Sequence, residues 1–329
     1  MAPTSTLDLV QTPPREFASH TGKPTLYIID KFPPAAIKYA RSLFNVVLPE
    51  DEEFRDWREN ATAILIRNSY LTAEDISRCP KLVAVGKHGV GIDKLDQSAC
   101  AARGIKILNT PGANARAVAE LVLTLTMTVA RQIRSITIRQ TLAPVPKESC
   151  SGLTLYRKRI GILGMGHIGR TVAEIFRGAF DADIIAYDPF MPENAWPHII
   201  HSRAKTYEEV IAVSDVLTVH MPLTPETRDL ISYAELSRMK PTAILINAAR
   251  GGIVNEHDLE RALFEGLIWG AGLDCHNEEP PTKEKYSKMW ENLNVVSTPH
   301  IGAATADTQL TCAKMAMDNV LEYLKTLDS

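Results

Sequence analysis

Short apolar runs alternate with amphipathic stretches along most of the chain. In the first third, β-type runs occur at Thr25–Ile29, Val46–Leu48, Ala63–Ile66, Leu82–Val85 and Ile105–Leu108. Between them, Pro34–Phe44, Thr72–Cys79 and Leu95–Ala102 have helical character, and Thr72 with Asp75 three residues on marks a helix start. This alternation predicts a parallel sheet covered by helices, here a five-stranded doubly wound unit. Thr110-Pro111-Gly112 breaks the pattern and reads as a hinge. Ala115–Ile133 follows as one long helix capped by Asn114, apolar on most faces through Val118, Leu121, Val122, Leu125, Met127 and Val129. A helix of that kind must be buried, and a subunit interface is the expected cover.

Alternation resumes after the loop Ala143–Gly152. Strands are predicted near Ile160–Leu163, Ile184–Tyr187, Val216–His220, Ala243–Asn247, Gly270–Asp274 and Val295–Ser297, with helices near Tyr207–Val213, Ala234–Met239 and Asn255–Glu265. Ala304–Leu327 reads as a last helix that can cross back to the first domain. A chain of 329 residues is long enough for two domains. The expected division is 1–109 with 300–329 on one side and 110–299 on the other.

The glycines of Arg159–Gly169, RIGILGMGHIG, add chemistry to this pattern. The order is strand, glycine turn, helix. Gly164 permits the tight turn, Gly166 lets a pyrophosphate approach the backbone, and Gly169 lets helix and strand pack closely. His167 and Ile168 open the helix, whose free N–H groups and positive dipole end suit phosphates. Asp188 ends the next strand 19 residues beyond Gly169, the spacing of an acid that binds a ribose. Its carboxylate favours NAD over NADP, and Pro189-Phe190-Met191 offers no arginine for a 2′-phosphate. The fold class is therefore α/β with two doubly wound domains, a Rossmann dinucleotide-binding domain inserted into a flavodoxin-like substrate domain.

Three charged residues follow the last three predicted strands: Arg250 in NAARGG, Glu279 in DCHNEEP and His300 in TPHIG. Ligands of an open α/β sheet bind outside the carboxyl ends of its strands. Hydride exchange between nicotinamide and a 2-hydroxy acid needs a fixed cation for the carboxylate and an imidazole to move the hydroxyl proton. A carboxylate beside that imidazole would orient it and favour its protonated form. Arg250, His300 and Glu279 match these roles. Lys87-His88-Gly89-Val90-Gly91, after an earlier strand, can form a nest of backbone N–H groups for an anion, with Lys87 and His88 adding charge and Arg67 on the adjacent strand end.

Composition narrows the partners. Net charge −3 gives no footprint for nucleic acid or an anionic membrane, and no apolar run reaches membrane-spanning length. Cysteines 79, 100, 150, 275 and 312 are scattered, without a CxxC pair, which suits free thiols in a reducing compartment and no metal site. Residues 1–23 lack an apolar core or an Arg-rich face and read as a loose tail rather than a targeting peptide, so a cytoplasmic protein is expected.

Four stretches, GILGMGHIGRTVA, VHMPLTPETRDLI, LINAARGGIVNE and GAGLDCHNEEPP followed by TPHIGAAT, carry a resemblance. From about Thr25 onward the chain resembles the D-isomer-specific 2-hydroxyacid dehydrogenases, which include D-3-phosphoglycerate and D-lactate dehydrogenases and glyoxylate/hydroxypyruvate reductases. The resemblance implies an NAD-dependent 2-keto acid reductase, expected to be a homodimer, with Arg250, Glu279 and His300 as its catalytic set. It further implies that His220 and Pro222 lie near the cofactor and that Thr227, Ala248, Arg250 and Asp274 help place the nicotinamide end, with His300 and Gly302 alongside. The nest at Val90 and Gly91 would hold the substrate carboxylate. Cys275 replaces a common valine, His276 a common aromatic residue and Tyr156 a usual glycine, and a common Trp before the first strand of this domain is absent. Corepressors of the same fold, which sense NAD(H) with little turnover, are the alternative.

Overall fold

The computed structural model describes residues 22–327; the expected N-terminal tail, apart from its last two residues, lies outside them. The chain divides into two units, one running to Thr110 and resuming at Ala313, the other spanning Pro111–Cys312. The return crossing thus falls inside the last helix, Ala306–Leu327, rather than at residue 300.

The first unit holds β1 (Thr25–Ile28), β2 (Asn45–Val47), β3 (Ala63–Ile66), β4 (Ala84–Lys87) and β5 (Lys106–Leu108). They pair in the order β2-β1-β3-β4-β5, all parallel, the order of flavodoxin-like sheets. Ala63–Ile66 is buried at every position, as befits a strand covered on both faces. The predicted start at Thr72 is a full capping box with Asp75. From Ala313 on, the last helix covers this sheet: a Cβ on Gly86 would stand 2.8 Å from Val320.

The second unit holds β6 (Arg159–Leu163), β7 (Asp183–Tyr187), β8 (Ser202–Arg203), β9 (Val216–Val219), β10 (Ile244–Asn247), β11 (Gly270–Leu273) and β12 (Val295–Ser297). The order β12-β11-β10-β9-β6-β7-β8 is that of a dinucleotide-binding sheet with one further strand, and it reverses direction at β6/β9. Seven strands stand where six are predicted. The extra one, β8, is a polar dipeptide with no hydrophobic period to betray it. A helix at Lys283–Glu291 is likewise unanticipated.

The long predicted helix is two. Ala115–Ala130 ends at Arg131, Gln132 takes a left-handed φ of 52°, and Ile133–Leu142 begins anew. Asn114 stands at the N-cap without a side-chain cap bond. One face of the first helix is covered within its own unit. Val118, Val122, Leu125 and Val129 pack within their own unit against Ile160, Ile162, Val172, Phe176 and Ile246. A second core on the sheet's other face gathers Val210, Ile211, Leu245, Leu259 and Leu263.

Candidate active site

β10, β11 and β12 are neighbours and parallel, so their carboxyl ends share one edge of the sheet. Arg250, Glu279 and His300 all leave that edge. His300 Nδ1 and a Glu279 carboxylate oxygen stand 2.8 Å apart, and the other Glu279 oxygen accepts the His276 N–H at 3.2 Å. This pairing leaves Nε2 as the nitrogen for a substrate proton. Burial pushes the Glu279 carboxyl up. Its bond to His300, the His300 charge and the His276 amide outweigh that and hold it below the ordinary carboxylate range.

Asp274 builds the loop that carries His300. One carboxylate oxygen accepts from Thr298 Oγ1 and the Ile301 N–H, each at 2.7 Å, and the other accepts the Gly302 N–H at 2.8 Å. Its carbonyl accepts the His300 N–H at 2.7 Å. His300 has φ +55°, a left-handed conformation that costs a residue with a Cβ about 1–2 kcal/mol, and these bonds hold it there. Asp274, expected beside the nicotinamide, thus has a structural task in the His300 loop.

Asn247 is a residue of this strand edge that the sequence reading passed over. Buried at the end of β10, it donates through Nδ2 to the Arg250 carbonyl (2.9 Å) and accepts the Ala249 N–H through Oδ1 (3.1 Å), shaping the turn through Ala248. Arg250 Nη1 donates to the Ala249 carbonyl at 2.7 Å. The available signal was a polar residue closing an apolar, fully covered strand. Gly251 lies against the next loop, where a Cβ would come 2.0 Å from the His276 carbonyl oxygen. Burial pushes the His276 ring below its ordinary pKa; its Nε2 lies 2.8 Å from Ser297 Oγ. Cys275 is buried; its thiol is pushed up by burial, then by Asp274 and Glu279, with Arg250 opposing.

The glycine turn fits a dinucleotide. Gly164 has φ +101°, and a Cβ there would meet the His220 carbonyl oxygen at 2.4 Å. A Cβ on Gly169 would meet the Gly164 oxygen at 2.1 Å, while one on Gly166 would meet nothing within 4 Å. The helix His167–Phe180 starts without a side-chain cap, and its first backbone bond runs from Arg170 to Gly166. The N–H groups of His167, Ile168 and Gly169 precede that bond and suit phosphate oxygens.

Asp188 accepts the Met165 and Phe190 N–H groups at 2.9 and 3.0 Å, and each carboxylate oxygen retains acceptor capacity for a ribose hydroxyl. An arginine does lie close: β8 brings Arg203 to donate to the Asp188 and Met191 carbonyls at 2.7 and 2.6 Å. His220 bonds Thr218 Oγ1 at 2.9 Å, and burial pushes its pKa down to about 3, leaving the ring neutral. Thr227 Oγ1 donates to the Pro222 carbonyl at 2.7 Å, so these two fasten one turn.

The predicted substrate loop belongs to the first unit. Gly89 has φ +97° and exchanges bonds with Thr110, its own N–H going to Thr110 Oγ1 at 3.1 Å. Val90 and Gly91 therefore remain the loop's amides for an anion. Lys87 is buried, with Nζ donating to the Arg67 and His88 carbonyls at 2.7 and 2.8 Å. The His88 ring packs edge-on against Phe32. Asp30 accepts the N–H groups of Arg67, Asn68 and Ser69 and fixes the neighbouring loop.

No helix among the described residues is long and apolar enough to cross a membrane. The family model for the D-isomer specific 2-hydroxyacid dehydrogenase, NAD binding domain, matches residues 122–302. The D-3-phosphoglycerate dehydrogenase of Methanocaldococcus jannaschii is 34% identical over 275 residues, which cover 83% of this chain and 52% of that protein. The hydroxypyruvate reductase of Thermotoga maritima is 37% identical over 262 residues, 80% of this chain and 84% of that one. Among solved structures, the NADPH-dependent glyoxylate/hydroxypyruvate reductase of Sinorhizobium meliloti superposes with a TM-score of 0.80 at 27% identity, covering 92% of this chain and 96% of that one. The chain spans about half the length of the D-3-phosphoglycerate dehydrogenases it matches. With its NAD-binding domain matched across the glycine turn and through His300, the chain belongs to the D-isomer specific 2-hydroxyacid dehydrogenase family.

Proposed function

We propose that this protein is an NAD-dependent oxidoreductase that reduces a 2-keto acid to the D-2-hydroxy acid and runs the reverse reaction. The observation that carries the reading is the His300–Glu279 pair at 2.8 Å on the strand edge that also bears Arg250. NADH, held by Gly164, Gly166, the amides of His167 and Ile168, and Asp188, supplies the hydride when bound. In reduction, His300 gives its Nε2 proton to the keto oxygen; in oxidation it takes the hydroxyl proton. Glu279, ionised at neutral pH, holds the ring by Nδ1 and fixes its orientation. The Arg250 guanidinium binds the substrate carboxylate, and its planar fork sets the orientation. The amides of Val90 and Gly91 are assigned to the same class of anion.

The Asp188 carboxylate supports NADH over NADPH, since it accepts from ribose hydroxyls and repels a 2′-phosphate. The reading includes a homodimer through the 115–133 segment, testable by light scattering, and a cytoplasmic location, in keeping with cysteines that form no disulfide.

The test is NADH oxidation, in parallel with NADPH, against glyoxylate, hydroxypyruvate, pyruvate, phenylpyruvate, oxaloacetate and 2-oxoglutarate. Turnover of one acid with NADH is the expected result and names the substrate group. NADH binding without turnover of any acid would replace this reading with that of a nucleotide-sensing binding protein.

A further inference from the structure

Cys275 brings a third kind of donor to the Glu279–His300 pair. One ligand atom from each residue (thiol Sγ, carboxylate oxygen and ring nitrogen) lies within 4.8 Å of the other two. A tetrahedral zinc ion binds sulfur at about 2.3 Å and nitrogen or oxygen at about 2.0–2.2 Å, so its donors sit about 3.3–3.8 Å apart. The trio therefore closes on an ion with an adjustment of about an ångström. Two of the donors are already fastened. Glu279 is tied to the same loop as Cys275 through the His276 N–H, and His300 is fixed by the Asp274 bonds described above. The thiol forms the buried floor, while the side chains of Glu279 and His300 are 36% and 42% exposed, leaving a route for an ion from solvent. Asp274 and Arg250 both act on the thiol with opposite charges, so the surroundings do not repel a cation outright.

We propose that Cys275, Glu279 and His300 form a binding site for Zn²⁺ or a similar borderline-soft divalent cation, and that its occupation switches off proton transfer by His300. The inhibitory half of this inference rests on the proposed function; the binding half does not. Coordination forms Zn–S, Zn–N and Zn–O bonds, releases the Cys275 proton to solvent and changes no oxidation state. The ion takes an imidazole lone pair and a Glu279 oxygen, replacing the hydrogen bond that orients the ring. A fourth position stays open for water.

Two arms test this on the full chain. Co²⁺ is added without nucleotide or keto acid, and absorption is followed in the near ultraviolet and visible. The expected spectrum has a thiolate-to-cobalt charge-transfer band and tetrahedral d–d bands, lost in Cys275→Val and in Cys275→Ser and weakened in His300→Asn. In the second arm Zn²⁺, buffered by a chelator, is titrated into NADH-dependent reduction. Inhibition reversed by EDTA is expected, with the half-inhibiting free Zn²⁺ rising about tenfold or more in both Cys275 variants. A cobalt spectrum without a thiolate band, or a band retained in both variants, overturns the site. Equal zinc sensitivity of wild type and both variants overturns the inhibition. Because the cobalt arm needs no turnover, a chain inactive on every keto acid but showing the Cys275-dependent band keeps the site and loses only the catalytic reading. An active chain without that band does the reverse.

Discussion

His300 sits in a backbone conformation that its own side chain disfavours, with Asp274 and Thr298 bonds keeping it there. The imidazole is thereby aimed before any ligand arrives, and under the proposed function Asp274 is a positioning residue for His300. The role proposed for Arg250 is different, acting through charge and a bidentate fork. For Arg250→Ala we expect kcat/KM for the keto acid to fall by at least about a hundredfold, the scale on which losing one charge-stabilising donor acts. NADH affinity, read by fluorescence quenching, should change far less, and an unchanged kcat/KM would sink the assignment. Substituting lysine should not restore the rate, because an ammonium lacks the planar fork. His220 offers a contrast. Desolvation keeps its ring neutral, so an NMR titration should find it without an inflection between about pH 5 and pH 9.

At the scale of elements, close backbone packing dominates. The glycine turn and the His167–Phe180 helix meet so tightly that a methyl on Gly169 would overlap a carbonyl oxygen of Gly164. Backbone cannot rotate away as a side chain can. Gly169→Ala should therefore cost at least about 1–3 kcal/mol in a denaturant titration and abolish NADH binding, whereas Gly178→Ala on the same helix, with open space around it, should do neither. Leu125, buried in the helix that packs on this sheet, should cost about 2–5 kcal/mol when cut to alanine.

In the first unit, the Asp30 carboxylate holds the loop after β3. Burial pushes its pKa up, but the Ser69 hydroxyl and three amides outweigh this, so its folded value is depressed. Its contribution to stability is then full above the unfolded value, about 3.9, and is lost as the pH falls through the folded one. Wild type should lose more stability than Asp30→Asn between about pH 6 and pH 3. Parallel acid profiles would refute this.

At the scale of the whole molecule, each unit has a sheet and a core of its own, and the chain passes between them twice, at Thr110 and within the last helix. A ligand that binds only folded protein stabilises it by mass action, about 2.7 kcal/mol at a hundredfold excess over Kd. NADH at that excess should raise the melting transition of the nucleotide-binding unit by several degrees. NADPH at the same concentration should raise it much less, and Asp188→Ala should narrow the difference. An equal shift from both nucleotides in wild type would mean that Arg203 turns from the carbonyls it holds to accept the 2′-phosphate.

The placing of Arg250, Glu279 and His300 at neighbouring strand ends, and the glycine turn, were legible in the sequence because strand ends, glycines and chemistry-bearing residues are local features, and a parallel α/β sheet puts every strand's carboxyl end on one edge. Alternation of apolar runs likewise determined the fold class and most of the strands. Other features needed the tertiary structure, because they depend on which distant segments meet. The break at Gln132 follows from a single left-handed residue with no glycine to announce it. β8 exists only because its two residues fall beside β7, and with them comes Arg203. Asn247 looks like an ordinary polar residue at a strand end, and Asp274 like a neighbour of the nicotinamide alone, until their partners, three and up to 28 positions away, close around them. Lys87 reads in the sequence as a charge beside the anion nest; only packing shows it buried, with its ammonium tied to two carbonyls. Periodicity and spacing record what each segment does to its own backbone; pairing, burial and the sharing of hydrogen bonds between remote segments are decided only when the chain packs.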